Sequence, residues 1–457
     1  MSAEMNAQIA QDRRTPSARN MLRLQLSVGA GNEVANPPPV INGLARSAII
    51  FEELLNTTKT PIDLSKALEI HTGLSLTAYV DLTLAILTNY IGRTPKELLE
   101  SPNIPIVDPR TYFGRLVPAE LTRRFWEMEV ATMDQLAAAL SSSSELVQHQ
   151  DFTAFRMKPF VQFDNGNLVC VNPGFVQEKL EGGLFWTIVN SLEGNDRQDA
   201  FESWGKLFEA YVNQTLEAAV DPRIEKYTPH PDFIGKKHHH ESFDGILVSE
   251  RVCSVFECKG GFLPNGAKYA DDVNQFVMNL NKKFGTDVSA GVEQLSRKIG
   301  QVFARSKKVR RNVEALDLSA VEIVIPVLVV QDNFASSMLT VPWLAKSFRD
   351  LMRKVDLDRK VVWPSLLVLH VEDVEKLSIY VKSRPVSLSE CLLLASKMGD
   401  PTPGRVFSFD QVLRAYLVEK KLEKIPPSDL TKKFDEMMNR VTMRLFNQPF
   451  KPIRNSP

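Results

Sequence analysis

The chain has 457 residues, enough for about two or three domains of ordinary size. Hydrophobic residues make up 44% and charged residues 24%, proportions typical of a globular protein, and no apolar run is long enough to span a membrane. Lys plus Arg and Asp plus Glu both number 55, so any surface that binds nucleic acid must be local. The N-terminus lacks the apolar core of a secretory leader, and the four cysteines include no Cys-x-x-Cys pair. These features argue against a structural zinc site and indicate a reducing, cytoplasmic environment.

The first half of the chain predicts an arm, a helical domain and a short module. Residues 1–40 are polar and end in Asn36-Pro37-Pro38-Pro39, which predicts a flexible arm. Apolar residues at helical spacing over 41–150 predict a mainly helical N-terminal domain. Between 151 and 199, Asp164-Asn165-Gly166 separates two short apolar runs and predicts a β-hairpin. We assign 151–199 to a connecting module of a hairpin and helices that packs on the domain that follows.

Two predicted strands in the region 200–335 carry the residues with recognisable chemistry. Side chains alternate between the two faces of a strand, so Glu257 and Lys259 share one face of the second strand. A hairpin that turns at Glu250-Arg251 places Asp244, on the first strand, directly opposite Glu257, with Cβ atoms about 4.5–5.5 Å apart. Two carboxylates this close repel each other unless a cation lies between them. The pattern therefore predicts a metal site with an amine beside it.

The alternative is a surface hairpin that carries incidental charges. Asp and Glu are disfavoured at strand centres, however, and Ile246, Val255 and Phe256 are residues typical of a core. The composition of both strands therefore favours a buried site.

This arrangement resembles the signature of the PD-(D/E)xK nuclease superfamily, in which an acidic residue is followed after a similar gap by acidic-x-Lys. The resemblance covers 201–330, where a helix, three strands, another helix and another strand are predicted in the superfamily's order. Phe243 stands where the family has Pro. The resemblance implies an α/β core over 200–335 with a restriction-endonuclease-like mixed sheet in the order αβββαβ. It also implies hydrolysis of phosphodiester bonds in nucleic acid with Mg²⁺, for which Mn²⁺ substitutes.

The resemblance also assigns roles to residues of this chain. An acidic residue on the first helix of the core often reaches the metal in the family, and Glu209 is our candidate for it, with Glu202 as a second candidate. The implied metal ligands are Asp244, Glu257, Glu209 and the backbone carbonyl of Cys258, and the implied catalytic residues are Asp244, Glu257, Lys259 and Glu209. Lys259 is expected to orient the attacking water and to stabilise developing negative charge.

A basic cluster lies on the last predicted helix of the core and directly after it. Seven basic and no acidic residues lie between 297 and 311: Arg297, Lys298, Arg305, Lys307, Lys308, Arg310 and Arg311. This asymmetry predicts contact with the phosphates of nucleic acid, and a merely solvated surface is the alternative. Some superfamily members use a Gln on this helix, so we add Gln294 to the predicted nucleic-acid-binding residues. The Gln-x-x-x-Tyr form of that motif is broken here, because position 298 is Lys.

Residues 336–457 predict a C-terminal α/β-to-helical extension without a further catalytic motif. The whole sequence predicts a Mg²⁺-dependent endonuclease acting on DNA, and analogy with helical domains joined to such nucleases indicates a restriction or antiphage defence effector. Two alternatives stay open: a non-catalytic nucleic-acid-binding module that keeps the fold, and an effector switched on by a small ligand. In the second alternative the small ligand, or a partner, binds through the N-terminal domain. That helical domain is also the candidate surface for a partner protein or a second copy of the chain, and no membrane is expected to be involved.

Overall fold

The computed structural model describes residues 19–20, 22–26, 40–90, 106–114, 117–141, 152–234, 241–269, 272–306, 311–313, 316–358, 360–382, 386–398, 409–422 and 428–447. The chain divides into two compact units. The helical unit comprises Gly31–Leu207 and Ser428–Pro457, and the sheet unit comprises Met1–Ala30 and Phe208–Pro427. The protein is thus a mixed α/β protein with a mainly helical region, as the sequence predicts.

The helical unit is built from short helices and a small sheet. Its first elements are α1 (Val40–Ala48), α2 (Leu64–Thr72), α3 (Leu76–Leu87), β1 (Ile106–Val107), α4 (Ala119–Glu129), β2 (Val130–Thr132), α5 (Met133–Ser141), α6 (Thr153–Met157), β3 (Phe160–Gln162), β4 (Leu168–Cys170), α7 (Pro173–Leu180), α8 (Gly182–Val189) and α9 (Gly194–Ala219), whose last part belongs to the sheet unit. α1 continues through a π-helical segment, Ile49–Leu54, into a last turn, Leu55–Thr57. Within the described parts of the chain, no single helix is long and apolar enough to cross a membrane, although α2 and α3 pass that test together as a pair bent by 73°.

The predicted hairpin at Asp164-Asn165-Gly166 is confirmed. β3 and β4 pair antiparallel, and Gly166 adopts a φ of +82°, which suits glycine in a tight turn. β1 and β2 extend this pair to a four-stranded sheet in the order β1-β4-β3-β2. The strands of the module 151–199 therefore pair with strands that precede it in the chain, and the module belongs to the helical unit.

The sheet unit positions the residues with recognisable chemistry. Its elements are β5 (Lys226–Pro229), β6 (Gly245–Ser249), β7 (Val252–Lys259), α10 (Asn265–Tyr269), α11 (Val273–Lys283), α12 (Gly291–Phe303), β8 (Ile323–Val330), α13 (Asn333–Ser336), α14 (Val341–Met352), β9 (Leu367–His370), α15 (Val371–Val381), α16 (Leu388–Met398) and α17 (Phe409–Glu419). The described strands form a five-stranded sheet in the order β5-β6-β7-β8-β9. Pairing is antiparallel from β5 to β7 and parallel from β7 to β9. The predicted order of a helix, three strands, a helix and a strand is confirmed by α9, β5, β6, β7, α12 and β8, with α10 and α11 inserted before α12.

The hairpin of β6 and β7 has the predicted register, with its turn at Glu250-Arg251. Glu250 has a φ of +46°, the left-handed backbone that two-residue hairpin turns use. One residue before β6, the backbone N–H of Asp244 donates to the carbonyl of Phe256 at 3.2 Å. This bond keeps Asp244 next to β7, just beyond the last paired positions, Gly245 and Phe256.

The final helix, α18 (Asp429–Phe446), belongs to the helical unit and not to the C-terminal extension predicted over 336–457. It packs on α1 and α3. The side chain of Asp81 in α3 is 1% exposed, and its carboxylate lies 3.0 Å from Arg440 and 2.7 Å from Arg444 of α18. A buried carboxylate is costly without such partners, so these ion pairs hold α18 against the helical unit.

Candidate active site

Two buried carboxylates lie side by side at one end of the β6–β7 hairpin. Asp244 and Glu257 are 6% and 1% exposed. Oδ2 of Asp244 accepts a hydrogen bond from the backbone N–H of Cys258 at 2.6 Å, which fixes this carboxylate against β7. Burial raises the pKa of Asp244 well above its ordinary value, and the charge of Glu257 raises it further. Two buried carboxylates this close repel each other unless a cation lies with them.

The structure places a cation with this pair, the ammonium group of Lys298. Its Nζ lies 2.8 Å from Oε2 of Glu257 and 3.3 Å from Oδ1 of Asp244. Burial by itself would lower the pKa of Lys298, but the charges of Glu257 and Asp244 outweigh burial and raise that pKa above its ordinary value. Lys298 is thus a charged group that is only 9% exposed. The prediction that Lys298 contacts nucleic acid is corrected, because its ammonium group is buried and paired with the carboxylates of Asp244 and Glu257.

Lys259 lies on the other side of the Glu257 carboxylate. Its Nζ lies 3.0 Å from Oε1 of Glu257 and donates to Oε1 of Gln294 at 2.6 Å. Gln294 and Lys298 are four residues apart on α12, so one face of that helix supplies both groups. The amide of Gln294 is therefore engaged inside the site, where it positions Lys259, and not in the nucleic-acid contact that the sequence predicts.

The close approach of α12 to the sheet depends on Gly291, the first residue of that helix. A Cβ at this position would lie 2.6 Å from Cδ1 of Leu328 in β8 and 3.3 Å from Cγ of Lys259 in β7. At the first of these separations the Leu328 side chain would have to shift to admit a larger residue, so glycine favours the close approach of the helix to the sheet. This contact brings Gln294 and Lys298 within reach of the hairpin.

A second group of polar side chains lies near the pair. Nδ1 of His230 lies 2.9 Å from Oε1 of Glu209 and 2.5 Å from Oε1 of Glu241. These two carboxylates raise the pKa of His230 to about 10. After burial and Glu257, the charge of Glu209 is a further cause of the raised pKa of Asp244. Glu209 therefore lies near the predicted metal site, but its carboxylate pairs with His230.

Other predicted site residues are placed as follows. Glu202, the second candidate on α9, pairs with Lys206 at 2.8 Å on an exposed face. Cys258 is buried and contributes its backbone N–H to Asp244, whereas the role of its carbonyl as a metal ligand stays a prediction.

The predicted basic surface is only partly described. Three of its members fall outside the described residues: Lys307, Lys308 and Arg310. Arg297 pairs with Glu293 at 3.1 Å, one turn earlier on α12, which offsets its charge locally. The guanidinium of Arg311 lies over the ring of Phe233, 5.2 Å from its centre, and Arg305 is exposed. Contact between this region and nucleic acid stays a prediction.

Sequence reasoning missed the positions of Lys298, His230 and Glu241. The spacing of four residues from Gln294 to Lys298 is a signal that places both on one helical face, and it could have directed Lys298 toward the hairpin. His230 and Glu241 carry no comparable local pattern. Their meeting depends on the bridge between Asp232 and Glu241, which no local pattern in the sequence predicts.

The residues around the ammonium of Lys298 fit a divalent cation. Asp244 and Glu257 each direct a carboxylate oxygen at this position, and carboxylate oxygens are ligands that Mg²⁺ and Mn²⁺ prefer. The two negative charges also balance a doubly charged ion. In comparisons with known proteins, no family model matches the chain, and no curated protein or solved structure matches it significantly. The function is therefore inferred from the geometry of this site.

Proposed function

We propose that the protein is a Mg²⁺-dependent nuclease with a restriction-endonuclease-like core of the PD-(D/E)xK type, acting on DNA, with Mn²⁺ as a substitute. The observation that carries this proposal is the convergence of Asp244, Glu257 and Lys259 at one end of the β6–β7 hairpin. The order of α9, β5, β6, β7, α12 and β8 supports the same core.

The residues of the chain have distinct roles in this proposal. Asp244 and Glu257 would hold the metal, which supplies a bound water of lowered pKa and neutralises charge on the scissile phosphate. The backbone N–H of Cys258 fixes the orientation of Asp244. Lys259, a partly exposed side chain held by Gln294, orients the attacking water and stabilises the negative charge that develops on the phosphate.

Lys298 sets a condition on metal binding. Its ammonium lies between the two carboxylates, so a divalent cation binds both of them only when this side chain moves away. A lysine has a flexible four-carbon stem, which makes such a movement possible without a change in α12. The proposal therefore includes competition between Lys298 and the metal, which lowers the apparent affinity of the site.

The same contacts favour a second candidate function, a non-catalytic module that binds nucleic acid or a ligand. If Lys298 stays between Asp244 and Glu257, the acid pair is neutralised by a side chain and needs no metal. The two candidates differ in whether a divalent cation binds and whether phosphodiester bonds are cleaved. A setting in restriction or antiphage defence, with the helical unit as a sensing or assembly element, is proposed by analogy alone.

A cleavage assay separates these candidates and identifies the substrate class. The purified protein is incubated with labelled double-stranded DNA, single-stranded DNA and RNA, each with Mg²⁺, with Mn²⁺ or with a chelator. We expect cleavage of DNA with either ion and none with the chelator. Protein carrying Asp244→Asn, purified in parallel, shows whether cleavage comes from this site or from a contaminant. Asp287→Asn, at an exposed position of the sheet unit, is the matched control. If no substrate is cleaved with either ion, the nuclease proposal is wrong.

A further inference from the structure

Three side chains of the kinds that bind metals converge outside the Asp244–Glu257 pair. Glu209 comes from α9, His230 directly follows β5, and Glu241 precedes β6. One ligand atom of each lies within 4.8 Å of the other two. Nδ1 of His230 lies 2.9 Å from Oε1 of Glu209 and 2.5 Å from Oε1 of Glu241.

The backbone holds His230 and Glu241 together from separate parts of the chain. The N–H of Ser242 donates to the carbonyl of Pro231 at 2.8 Å. Asp232 and Glu241 form an antiparallel bridge. The meeting of the two segments is therefore built into the end of the sheet and does not depend on freely rotating surface side chains.

A single ring nitrogen faces two carboxylate oxygens, and a proton satisfies only one of them. Nδ1 of His230 carries at most one hydrogen, which its hydrogen bond to Glu241 uses. Among the described residues, Oε1 of Glu209 is buried and accepts no hydrogen bond, although it lies 2.9 Å from the same nitrogen. A buried anionic oxygen without a hydrogen bond costs free energy. A cation bound by all three ligand atoms removes this cost.

We propose that Glu209, His230 and Glu241 bind a divalent transition-metal ion of the Zn²⁺ class, at a site separate from the Asp244–Glu257 pair. An imidazole with two carboxylates suits Zn²⁺ better than Mg²⁺, which prefers oxygen ligands alone. Zn–N and Zn–O bonds of about 2.0–2.2 Å place neighbouring ligand atoms roughly 3–3.5 Å apart, so small side-chain rotations complete the site. The side chains of His230 and Glu241 are 46% and 39% exposed, which leaves a path for the ion.

The other ring nitrogen of His230 has a partner that suits this role. A metal on Nδ1 leaves the ring proton on Nε2, which lies 3.0 Å from the side-chain amide of Asn213. The amide oxygen accepts that proton once the amide is turned over, and the hydroxyl of Tyr227, which contacts the same amide, then accepts from its nitrogen. The ring is thus held in one orientation with and without the ion.

The site does not depend on nuclease activity. In this proposal Glu209 binds the ion together with His230 and Glu241, and not the metal at the Asp244–Glu257 pair. Because the ligands come from α9 and from the segments that flank β5 and β6, the bound ion crosslinks these elements. An ion that binds only the folded protein raises its melting temperature, which gives a readout independent of catalysis.

Competition with a chromophoric chelator measures Zn²⁺ binding to the full-length protein in excess Mg²⁺. We expect one bound Zn²⁺ per chain and a melting temperature that rises when it binds. His230→Gln and Glu241→Gln each weaken binding by at least about tenfold and remove the rise in melting temperature. His71→Gln, at an exposed histidine of the helical unit, leaves both unchanged.

Three consecutive histidines outside the described residues, His238-His239-His240, are the competing source of Zn²⁺ binding. A variant with Gln at all three positions should retain the bound ion. The proposal is wrong if that variant loses Zn²⁺ binding while His230→Gln retains it. It is also wrong if the wild type binds no Zn²⁺. Glu241→Gln changes a partly exposed side chain, so its Zn²⁺ affinity tests the proposal if His230→Gln does not fold. None of these readouts changes if the nuclease assay fails.

Discussion

The ammonium of Lys298 lies 2.8 Å from Oε2 of Glu257, at the position between two carboxylates where the sequence predicts a metal ion. The other oxygen of Glu257 lies 3.0 Å from the ammonium of Lys259. Glu257 is therefore flanked by two positive charges, one from α12 and one from its own strand. Metal affinity and the stability of the metal-free protein are consequently coupled, because both depend on where Lys298 lies.

Replacing Lys298 by Met should raise the affinity for Mg²⁺ and lower the stability of the metal-free protein. The variant keeps an unbranched side chain one atom shorter than that of lysine and removes the competing charge, so we expect affinity to rise by about tenfold or more, which is about 1.4 kcal/mol. Removing one partner from a buried ion pair costs roughly 3–5 kcal/mol of unfolding free energy. Calorimetric titration and urea denaturation measure the two effects. Arg297→Met, at an exposed position on the same helix, should change neither quantity, and an unchanged Mg²⁺ affinity in Lys298→Met would contradict the competition.

Glu257→Gln should destabilise the metal-free protein more than Asp244→Asn. Glu257 contacts two ammonium groups, and the loss of hydrogen bonds to charged groups costs about 1.5–3 kcal/mol. Burial raises the pKa of Asp244, so this carboxyl group holds a proton more readily than an ordinary aspartate. An Asn side chain at this position still accepts a hydrogen bond from the backbone N–H of Cys258. Urea denaturation of both variants at pH 7 without metal gives the order. Equal losses, or a larger loss in Asp244→Asn, would show that Glu257 is not the centre of the charge network.

The stability of the metal-free protein should fall with rising pH because of His230. Its pKa is raised from 6.5 to about 10 in the folded state by the carboxylates of Glu209 and Glu241. The folded protein therefore binds the proton more tightly than the unfolded chain, and this stabilisation is fully present below about pH 6.5 and lost as pH rises through about 10. Denaturation curves between these limits, with a chelator present, should decline less steeply for His230→Gln than for the wild type. Parallel declines would mean that His230 titrates as it does in the unfolded chain.

Lys259→Ala should impair the chemical step of the proposed nuclease and leave metal binding intact. The variant loses a charge beside the phosphate, so turnover at saturating Mg²⁺ should fall about 10²-fold or more, which is about 2.7 kcal/mol. Metal affinity should hold or rise, because a cation next to the site is gone. Lys259→Arg should rescue poorly, since a planar guanidinium does not replace a compact ammonium. Calorimetry beside single-turnover kinetics separates the effects, and loss of metal binding with normal turnover at saturation would make Lys259 a structural residue.

The sequence predicts the part of the site that depends on local pattern. Alternation of side chains and a two-residue turn at Glu250-Arg251 determine which residues of the hairpin face each other, so the grouping of Asp244, Glu257 and Lys259 follows from local rules. The position of Lys298 does not follow from them, because it depends on how closely α12 approaches the sheet. That distance is set by Gly291 against a side chain of β8, a contact between distant parts of the chain.

The assignment of chain segments to the two units is likewise only partly predictable from the sequence. The hairpin at Asp164-Asn165-Gly166 is visible in the sequence, but its partner strands are short and lie before position 133. α18 packs on α1 and α3, and no periodic pattern in the sequence connects Asp81 of α3 to Arg440 and Arg444. Elements that follow from periodicity are therefore predicted well, and assignments that depend on long-range ion pairs or short strands are not.

Single-turnover cleavage of a labelled DNA duplex over a range of Mg²⁺ concentrations tests the central claim most directly, with wild type, Asp244→Asn, Glu257→Gln and the exposed control Asp287→Asn assayed in parallel. We expect the wild type and the control to cleave with the same Mg²⁺ dependence. Neither site variant should cleave at any Mg²⁺ concentration, although both remain folded. Cleavage by both site variants at the wild-type rate would show that Asp244 and Glu257 do not form the active site.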